Sequence, residues 1–307
     1  MFGFGGGGPS KRELWLDRPD ALDLLAKARA PADFKVAARD LIVDGFAIVR
    51  RAIAPELCQR VIADYYRYAE ENAAYVAQNL DEAGREKRLV NFHLWSEAEM
   101  RVISDRRMMR LLDFLFGEKT CVYSTLTFKY GTQQPIHRDT PHFVTWPKSR
   151  FFGVWTALED VHEDAGPLMY VKGGHRFEME HERDIYRRVQ ENRQDMSYQE
   201  QIVHALDLYN GIVIHHSPGA GEVVTAPINR GDVAIWHPQL PHGGSPARDP
   251  SRSRWSVVHH AAPEAVQLHM MEQFFTHDGP QPPAPRYDFA RKAHGRKVAA
   301  SGVTAYM

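Results

Sequence analysis

A change of pattern after Gly117 constrains the fold more than any other feature of this sequence. Before that residue, apolar side chains recur at helical spacing. After it, short segments rich in β-branched and aromatic residues alternate with glycine and proline turn signals. We predict strands over residues 120–130, 151–158, 168–171, 223–226, 232–236 and 255–260. Strands that follow one another without alternating helices favour an antiparallel barrel or sandwich over a doubly wound parallel sheet.

Helices are predicted on the N-terminal side of this strand region. Apolar spacing and terminal signals place them at residues 20–30, 32–43, 55–78 and 105–116. A polar, helix-like stretch at about 178–209 interrupts the strands and is too long for a hairpin loop, so we interpret it as a helical insertion or lid. The predicted fold class is therefore α+β, with a β-barrel core and flanking N-terminal helices.

The chain of 307 residues is predicted to form one main domain. Residues 1–20, which include a run of glycines at 5–8, are expected to be a flexible lead-in. Residues 21–275 would form the single barrel domain with its insertion. Residues 276–307 are rich in proline and then basic, and we expect them to be extended or loosely packed.

Charge and cysteine content exclude several classes of protein. The chain has 38 Lys and Arg against 39 Asp and Glu, a net charge of -1, which argues against a strongly basic nucleic-acid binder or a polybasic membrane anchor. No apolar run reaches the length of about 18 residues that a membrane span needs. Two cysteines are too few for a disulfide framework, so we expect a reducing compartment, the cytoplasm.

Histidine is the unusual component: the chain has 16, and 15 of them come after position 130. His137 and Asp139 are two residues apart, so on a strand both point to one face and can reach one ion. Two histidines and one carboxylate on one face of Fe(II) leave three coordination positions open. A similar pair, His162 and Asp164, lies beside a turn signal, so we interpret it as part of a surface loop rather than as a pair of metal ligands.

Residues 231–245 offer two candidates for a third ligand. His237 and His242 are separated by an odd offset and need not share a face, so the residues alone leave both open. Arg254 opens an apolar strand, where an unpaired charge is costly and a bidentate dicarboxylate would be a suitable partner. Arg252 has the same strand parity and competes for that role.

The order of these pieces resembles that of the phytanoyl-CoA dioxygenase family of Fe(II)/2-oxoglutarate oxygenases. The resemblance covers roughly residues 40–262 and depends on the order of seven pieces rather than on any one of them. Along the chain they are DGFAIV (44–49), FKY with PIHRD (128–139), VWTALED (154–160), GPL (166–168), VKGGHR (171–176), the histidine segment (231–243) and RWSVVHH (254–260).

The resemblance implies a double-stranded β-helix, or jelly roll, that holds iron through His137, Asp139 and His242. These three residues would be both the metal ligands and the catalytic residues. Arg254, with Arg252 as the alternative, would bind the distal carboxylate of 2-oxoglutarate. In some relatives a residue at the position of Lys129 also contacts this cosubstrate.

The implied activity is that of a non-haem Fe(II)- and 2-oxoglutarate-dependent dioxygenase. It would consume O2, hydroxylate a small molecule and release succinate and CO2, with ascorbate supporting the reaction in vitro. Because Asp139 fills the position that halogenating relatives leave open for chloride, we expect hydroxylation rather than halogenation. His142, Trp146 and Trp155 lie near the metal motif in the sequence and are candidates for the substrate wall.

Two other classes are compatible with strands and histidines. A cupin-like metal enzyme that does not use oxygen would need the histidines but no arginine aimed at a dicarboxylate. A non-catalytic jelly-roll binding module would need neither the set of metal-binding residues nor this arginine. As partners of the protein we expect a small-molecule substrate and no nucleic acid or membrane.

Overall fold

The strands form one large sheet and two small ones. The structure is a computed structural model and describes residues 13–269, 271–277, 288–300 and 302–307. Its strands are β1 (Phe46–Val49), β2 (Leu89–Val90), β3 (Thr120–Phe128), β4 (Val144–Trp146), β5 (Phe152–Ala157), β6 (Leu168–Val171), β7 (Val223–Thr225), β8 (Val233–Trp236), β9 (His242–Gly244), β10 (Ser256–Pro263), β11 (Gln267–His269), β12 (Asp288–Ala293), β13 (Arg296–Ala300) and β14 (Ala305–Tyr306). The large sheet has the order β1-β8-β5-β10-β3-β13-β12, with β2 also paired to β3 and β14 paired to β2. The small sheets are β7-β6-β9 and β11-β4.

Most helices precede β3, as the sequence predicts. They are α1 (Ala21–Lys27), α2 (Ala32–Asp44), α3 (Pro55–Glu71), α4 (Ala73–Ala77), α5 (Glu97–Ile103), α6 (Arg106–Phe116), α7 (Glu182–Asn192), α8 (Tyr198–Ala220) and α9 (Glu272–Thr276). The predicted helix over 55–78 is divided at Asn72, and α5 was not predicted. The Asp105 side chain caps the start of α6, and Gly117, with a φ of 71°, ends it in the left-handed conformation.

Strand alternation decides which face of the large sheet the helices cover. On β5, Val154 packs into the helical core, whereas its neighbour Trp155 faces the other way. Ile235 and Trp236 repeat this division on β8. Because side chains on a strand alternate between faces, the helices bury the outer face and leave the inner face to meet the small sheets.

The inner face of the large sheet packs against the small sheet β7-β6-β9. Phe46 on β1 stacks on Tyr170 of β6, with 4.4 Å between ring centroids. A second apolar cluster, which includes Trp155 and Trp236, fills the space between these sheets. The predicted α+β fold, a double-stranded β-helix with flanking N-terminal helices, is confirmed.

The N-terminal boundary differs from the predicted one. The glycine run at 5–8 lies outside the described residues. Trp15, within the predicted flexible lead-in, is 1 % exposed, and its indole N–H donates to the Phe114 carbonyl oxygen at 3.2 Å. The prediction of a flexible lead-in up to residue 20 is therefore wrong for the residues around Trp15.

The C-terminal residues form strands rather than a loose tail. Strands β12 and β13 form a hairpin, and β13 lies parallel to β3 through the pairing of Val298 with Val122. Val298 is fully buried, and Arg296 donates two hydrogen bonds of 2.7 Å to Asp113 on α6. The prediction of loose packing is wrong for these residues, whereas the proline-rich part at 278–287 lies outside the described residues.

The predicted insertion is helical and longer than expected, since α8 ends at Ala220. Tyr209 on α8 packs against Phe274 of α9, with 5.3 Å between ring centroids. Its Oη atom lies 3.0 Å from Thr140 Oγ1. The insertion therefore supports the segment that follows Asp139. Across the described ranges, every helix is too short or too polar to cross a bilayer.

Candidate active site

Main-chain hydrogen bonds place two of the predicted ligands side by side. His137 lies in the segment after β3, and His242 is the first residue of β9. The His137 N–H donates to the His242 carbonyl at 2.9 Å, and the His242 N–H donates to the His137 carbonyl at 3.0 Å. This antiparallel bridge joins the metal motif to the edge of the small sheet.

The three predicted ligand side chains converge at one point. His137 Nε2 lies 3.5 Å from Asp139 Oδ1, and His242 Nε2 lies 3.5 Å from Asp139 Oδ2. Both Nδ1 atoms are within hydrogen-bond distance of backbone carbonyls, at 2.8 Å for Pro135 and 2.9 Å for Leu240. We assign the proton to Nδ1 in each ring, because only an N–H can donate to a carbonyl, and each Nε2 lone pair is then free for a metal.

Two further side chains hold the Asp139 carboxylate. The Trp236 indole N–H donates to Asp139 Oδ2 at 2.9 Å, and His260 Nε2 lies 3.3 Å from the same oxygen. Burial alone would raise the pKa of Asp139. The surrounding imidazoles of His242, His137 and His260 outweigh that effect and hold the pKa well below its usual range. Asp139 is therefore ionised, and its orientation is fixed.

Gly153 leaves the space that the Trp236 indole occupies. A Cβ atom at position 153 would lie only 2.1 Å from the Trp236 ring. Any larger residue at position 153 would displace the indole and break its hydrogen bond to Asp139. The chain therefore needs a glycine here for close packing rather than for a special backbone angle.

The donor set suits a divalent transition metal. His137, Asp139 and His242 are the one group of metal-compatible side chains found among the described residues, with ligand atoms within 4.8 Å of one another. Burial lowers the pKa of His242 to about 4, so its imidazole is neutral and able to coordinate at neutral pH. Two imidazole nitrogens and one carboxylate on one side of an ion leave its other side open.

The open side of this cluster faces a cavity of about 430 Å³ between the sheets. Its walls come from both the large and the small sheet. The lining consists of Arg88, Val90, Ser124, Leu126, Phe128, Thr132, Gln134, His137, Asp139, His142, Phe143, Trp155, Leu168, Trp236, His242, Gly243, Gly244, Arg254, Val258, His260 and Met307. The size is within the usual range for a small-molecule site.

Arg254 lines the same cavity and has no acidic partner among the described residues. It is 2 % exposed, its Nη1 atom donates to the Gly166 carbonyl at 2.5 Å, and its Nε atom has no partner. Burial lowers the pKa of Arg254 to about 10, so the guanidinium is still charged at neutral pH. Gly131 leaves room for it, since a Cβ there would lie 3.3 Å from Arg254 Cζ. A buried cation of this kind suits an anionic ligand.

The other basic candidates lie elsewhere. Arg252 is exposed and forms an ion pair of 3.1 Å with Asp249 on the surface. Lys129 forms an ion pair of 2.8 Å with Glu86 and lines a neighbouring surface pocket instead of the cavity. The geometry thus favours Arg254 over Arg252 and does not bring Lys129 to the metal cluster.

The competing histidines also lie away from the cluster. His237 Nε2 is 2.9 Å from Asp17 Oδ1, and its Nδ1 accepts the backbone N–H of Gln239. His162 is exposed and accepts the backbone N–H of Asp164 at 3.1 Å. The structure therefore brings His242 rather than His237 to the predicted site, and His162 belongs to a surface loop.

The predicted substrate wall is found only in part. His142 and Trp155 line the cavity. Trp146 does not, because it lies on β4 with its ring against His277, 5.1 Å away between centroids. None of the lining residues comes from α7 or α8, so among the described residues the insertion contacts the metal motif from outside the cavity, which does not support the predicted lid.

Three residues of the site were not predicted: Trp236, His260 and Arg88. Strand parity could have found the first two, since Trp236 ends a predicted strand and His260 shares its parity with Arg254. Arg88 gives no such signal, because β2 is only two residues long. Its place depends on the pairing of β2 with β3.

Comparison with known proteins supports this description of the fold. A model of the phytanoyl-CoA dioxygenase (PhyH) family matches residues 42–254, more than half of the chain. No curated protein sequence gives a significant match.

Solved structures share the fold at low sequence identity. The epimerase SnoN, in complex with Fe3+, alpha ketoglutarate and nogalamycin RO, has a TM-score of 0.61 and 16% identity, and the match covers 88% of this chain and 99% of SnoN. The carbocyclase SnoK from nogalamycin biosynthesis has a TM-score of 0.59 and 16% identity, over 91% of this chain and 96% of SnoK. EctD from S. alaskensis, with bound Fe, has a TM-score of 0.55 and 15% identity, and the match covers 78% of this chain and 80% of EctD.

Removal of any one ligand should abolish tight metal binding. We expect H137A, D139A and H242A each to weaken Fe(II) binding by about 100-fold or more, since even residues that only orient a ligand contribute about 10–100-fold. H237A and H162A are the controls and should bind Fe(II) as the unmodified protein does. Anaerobic metal titration measures this. Loss of binding in H237A but not in H242A would contradict the assignment.

The Trp236 indole should strengthen metal binding without touching the metal. W236F removes the N–H that orients Asp139 and should weaken Fe(II) binding by about 10–100-fold. W255F is a matched control, because Trp255 is also buried but packs on Tyr65, 4.7 Å away between centroids, in the helical core. Equal Fe(II) affinities of the two variants would show that the hydrogen bond does not position the carboxylate.

Proposed function

The chain belongs to the phytanoyl-CoA dioxygenase (PhyH) family, and on that premise we propose that it is a non-haem Fe(II)- and 2-oxoglutarate-dependent dioxygenase acting on a small molecule. One observation carries the proposal. A buried cluster of two imidazoles and one carboxylate shares a cavity with a buried arginine that has no acidic partner among the described residues. The first feature suits Fe(II), and the second suits the distal carboxylate of 2-oxoglutarate.

The residues of this chain would divide the work of binding and orientation. The Nε2 atoms of His137 and His242 and an oxygen of Asp139 would hold the iron on one side. When bound, iron with 2-oxoglutarate and O2 supplies the oxidising chemistry, with succinate and CO2 as co-products. The backbone bridge between His137 and His242 keeps two ligands in register before the metal arrives, so little ordering is needed on binding.

Arg254 would anchor the cosubstrate through its distal carboxylate. Its Nη1 atom is committed to the Gly166 carbonyl, but its Nε atom has no partner. A second donor is available nearby, because the buried Tyr170 hydroxyl also has no partner and interacts electrostatically with Arg254. Both groups are costly to bury alone, and a carboxylate would satisfy both.

The apolar walls would keep water away from the reacting centre. Leu126, Phe128, Trp155 and Val258 come from the inner face of the large sheet and line the cavity. Exclusion of water strengthens the charge pairing inside the site and protects reactive species from side reactions. His142, at the exposed side of the cavity, is the polar residue best placed to meet a substrate there.

Hydroxylation is the proposed outcome. Neighbours in fold include proteins described as an epimerase and a carbocyclase, so the fold is compatible with more than one outcome. Asp139 supports hydroxylation over halogenation, because its carboxylate, held by Trp236 and His260, occupies the position that a halide would need. The two alternative classes do not account for Arg254. Neither an oxygen-independent cupin-like enzyme nor a non-catalytic binding module needs an arginine aimed at a dicarboxylate.

Arg254 should determine the affinity for 2-oxoglutarate. R254Q should weaken it by at least about 30-fold, since loss of a buried charge pair costs about 2–5 kcal/mol. R254K should recover only part of it, because an ammonium cannot form the bidentate fork. R252Q is the matched surface control and should bind normally. Anaerobic titration of the Fe(II) protein with 2-oxoglutarate measures all three, and the reverse pattern would move the assignment to Arg252.

The mass of the product should reveal the reaction. Candidate small molecules would be screened for substrate-stimulated succinate release with Fe(II), 2-oxoglutarate, ascorbate and O2, in excess chloride. We expect the product to gain one oxygen atom. An unchanged mass would indicate epimerisation, loss of two hydrogens would indicate desaturation or ring closure, and a chlorinated product would contradict Asp139 as a ligand. The H242A variant, which should not hold iron, serves as the inactive control.

A further inference from the structure

Arg88 is a cation in the cavity that the proposed reaction leaves unused. It precedes β2, which pairs with Leu126 and Thr127 of β3, and its side chain lines the cavity together with Asp139. Among the described residues, Arg88 forms no ion pair and no side-chain hydrogen bond. Asp139 interacts with it electrostatically, but that carboxylate is already engaged by Trp236 and His260.

Arg88 and Arg254 occupy different parts of the cavity. Arg254 is almost fully buried, whereas Arg88 is half-buried and also lines the neighbouring surface pocket. Met307, which is 64% exposed and donates its backbone N–H to the Arg88 carbonyl at 3.0 Å, lines both pockets as well. Arg88 therefore lies at the mouth, where a ligand enters after the interior is filled.

With Fe(II) and 2-oxoglutarate bound, the positive charge of Arg88 would have no negative charge to balance it. Fe(II), Arg254 and Arg88 would bring four positive charges and Asp139 would remove one, since an imidazole that coordinates a metal is neutral. A 2-oxoglutarate dianion removes two more. One positive charge is left, and it matches a monoanion such as a carboxylate better than a phosphate monoester, which carries close to two negative charges at neutral pH.

The lining near Arg88 combines apolar side chains with one imidazole. Val90 and Met307 are apolar, and His142 is close enough to Arg88 for an electrostatic interaction. We propose that the primary substrate is a small molecule with an apolar body and a carboxylate, and that Arg88 binds this carboxylate. The inference rests on the proposed function, because it assumes that 2-oxoglutarate fills the interior at Arg254. The planar guanidinium is suited to bidentate carboxylate binding.

The carboxylate on Arg88 could have a second source, the 1-carboxylate of 2-oxoglutarate. The experiment therefore measures the two ligands separately by calorimetry. Protein loaded anaerobically with Fe(II) is first titrated with 2-oxoglutarate, and the saturated complex is then titrated with octanoate or phenylacetate and with their primary amides. The unmodified chain is compared with R88Q, R88K and R85Q. Arg85 is the matched control, because it is paired with Asp81 at 2.9 Å and lies outside the cavity.

We expect the unmodified chain to bind at least one of the two acids about tenfold or more tightly than its amide, as a charge-assisted pair would give. R88Q should lose that preference, R88K should keep part of it, and R85Q should keep all of it. The 2-oxoglutarate affinity of R88Q should be unchanged, which also shows that the variant is folded.

Three results would overturn the inference. They are equal binding of acids and amides by the unmodified chain, a preference that survives in R88Q, and a loss of 2-oxoglutarate affinity in R88Q, which would assign Arg88 to the cosubstrate. Failure of the unmodified chain to bind Fe(II) with 2-oxoglutarate would instead contradict the proposed function. The first titration therefore separates the two failures.

Discussion

The pair of backbone hydrogen bonds between His137 and His242 is the contact on which the site depends. It joins the irregular segment after β3 to the first residue of β9, two parts of the chain that are far apart in sequence. Because main-chain groups form it, it fixes the spacing of the two imidazoles independently of any metal. Asp139 then needs only the two-residue step from His137 to complete the cluster.

The large sheet stabilises this cluster from the opposite side. Trp236 at the end of β8 and His260 on β10 reach across the gap between the sheets to the same oxygen of Asp139. Gly153 on the intervening strand gives the indole its space. The candidate metal ligands come from the motif segment and the small sheet, while the groups that orient Asp139 come from the large sheet, so the candidate site exists only where the two sheets meet.

The cavity between the two sheets is lined by both charged and apolar side chains. Arg254 is buried within it, Arg88 lies at its mouth, and apolar side chains of β3, β5 and β10 also line it. The helices α2, α3 and α6 cover the other face of the large sheet and leave this face free. Asp139 is the single carboxylate among these lining residues and faces two guanidinium groups, so the cavity is suited to anionic ligands.

The sequence by itself determined the change from helices to strands after Gly117 and the pairing of His137 with Asp139, because strand and helix periods are local properties of the chain. It left His237 and His242, and Arg252 and Arg254, as alternatives. Only the tertiary structure decided between them, since local spacing does not show which residue pairs with His137 or turns into the cavity. Long-range pairing also decided the place of Arg88 through β2, and the docking of Val298 beside β3. Such contacts join residues far apart in the chain, and no local period encodes them.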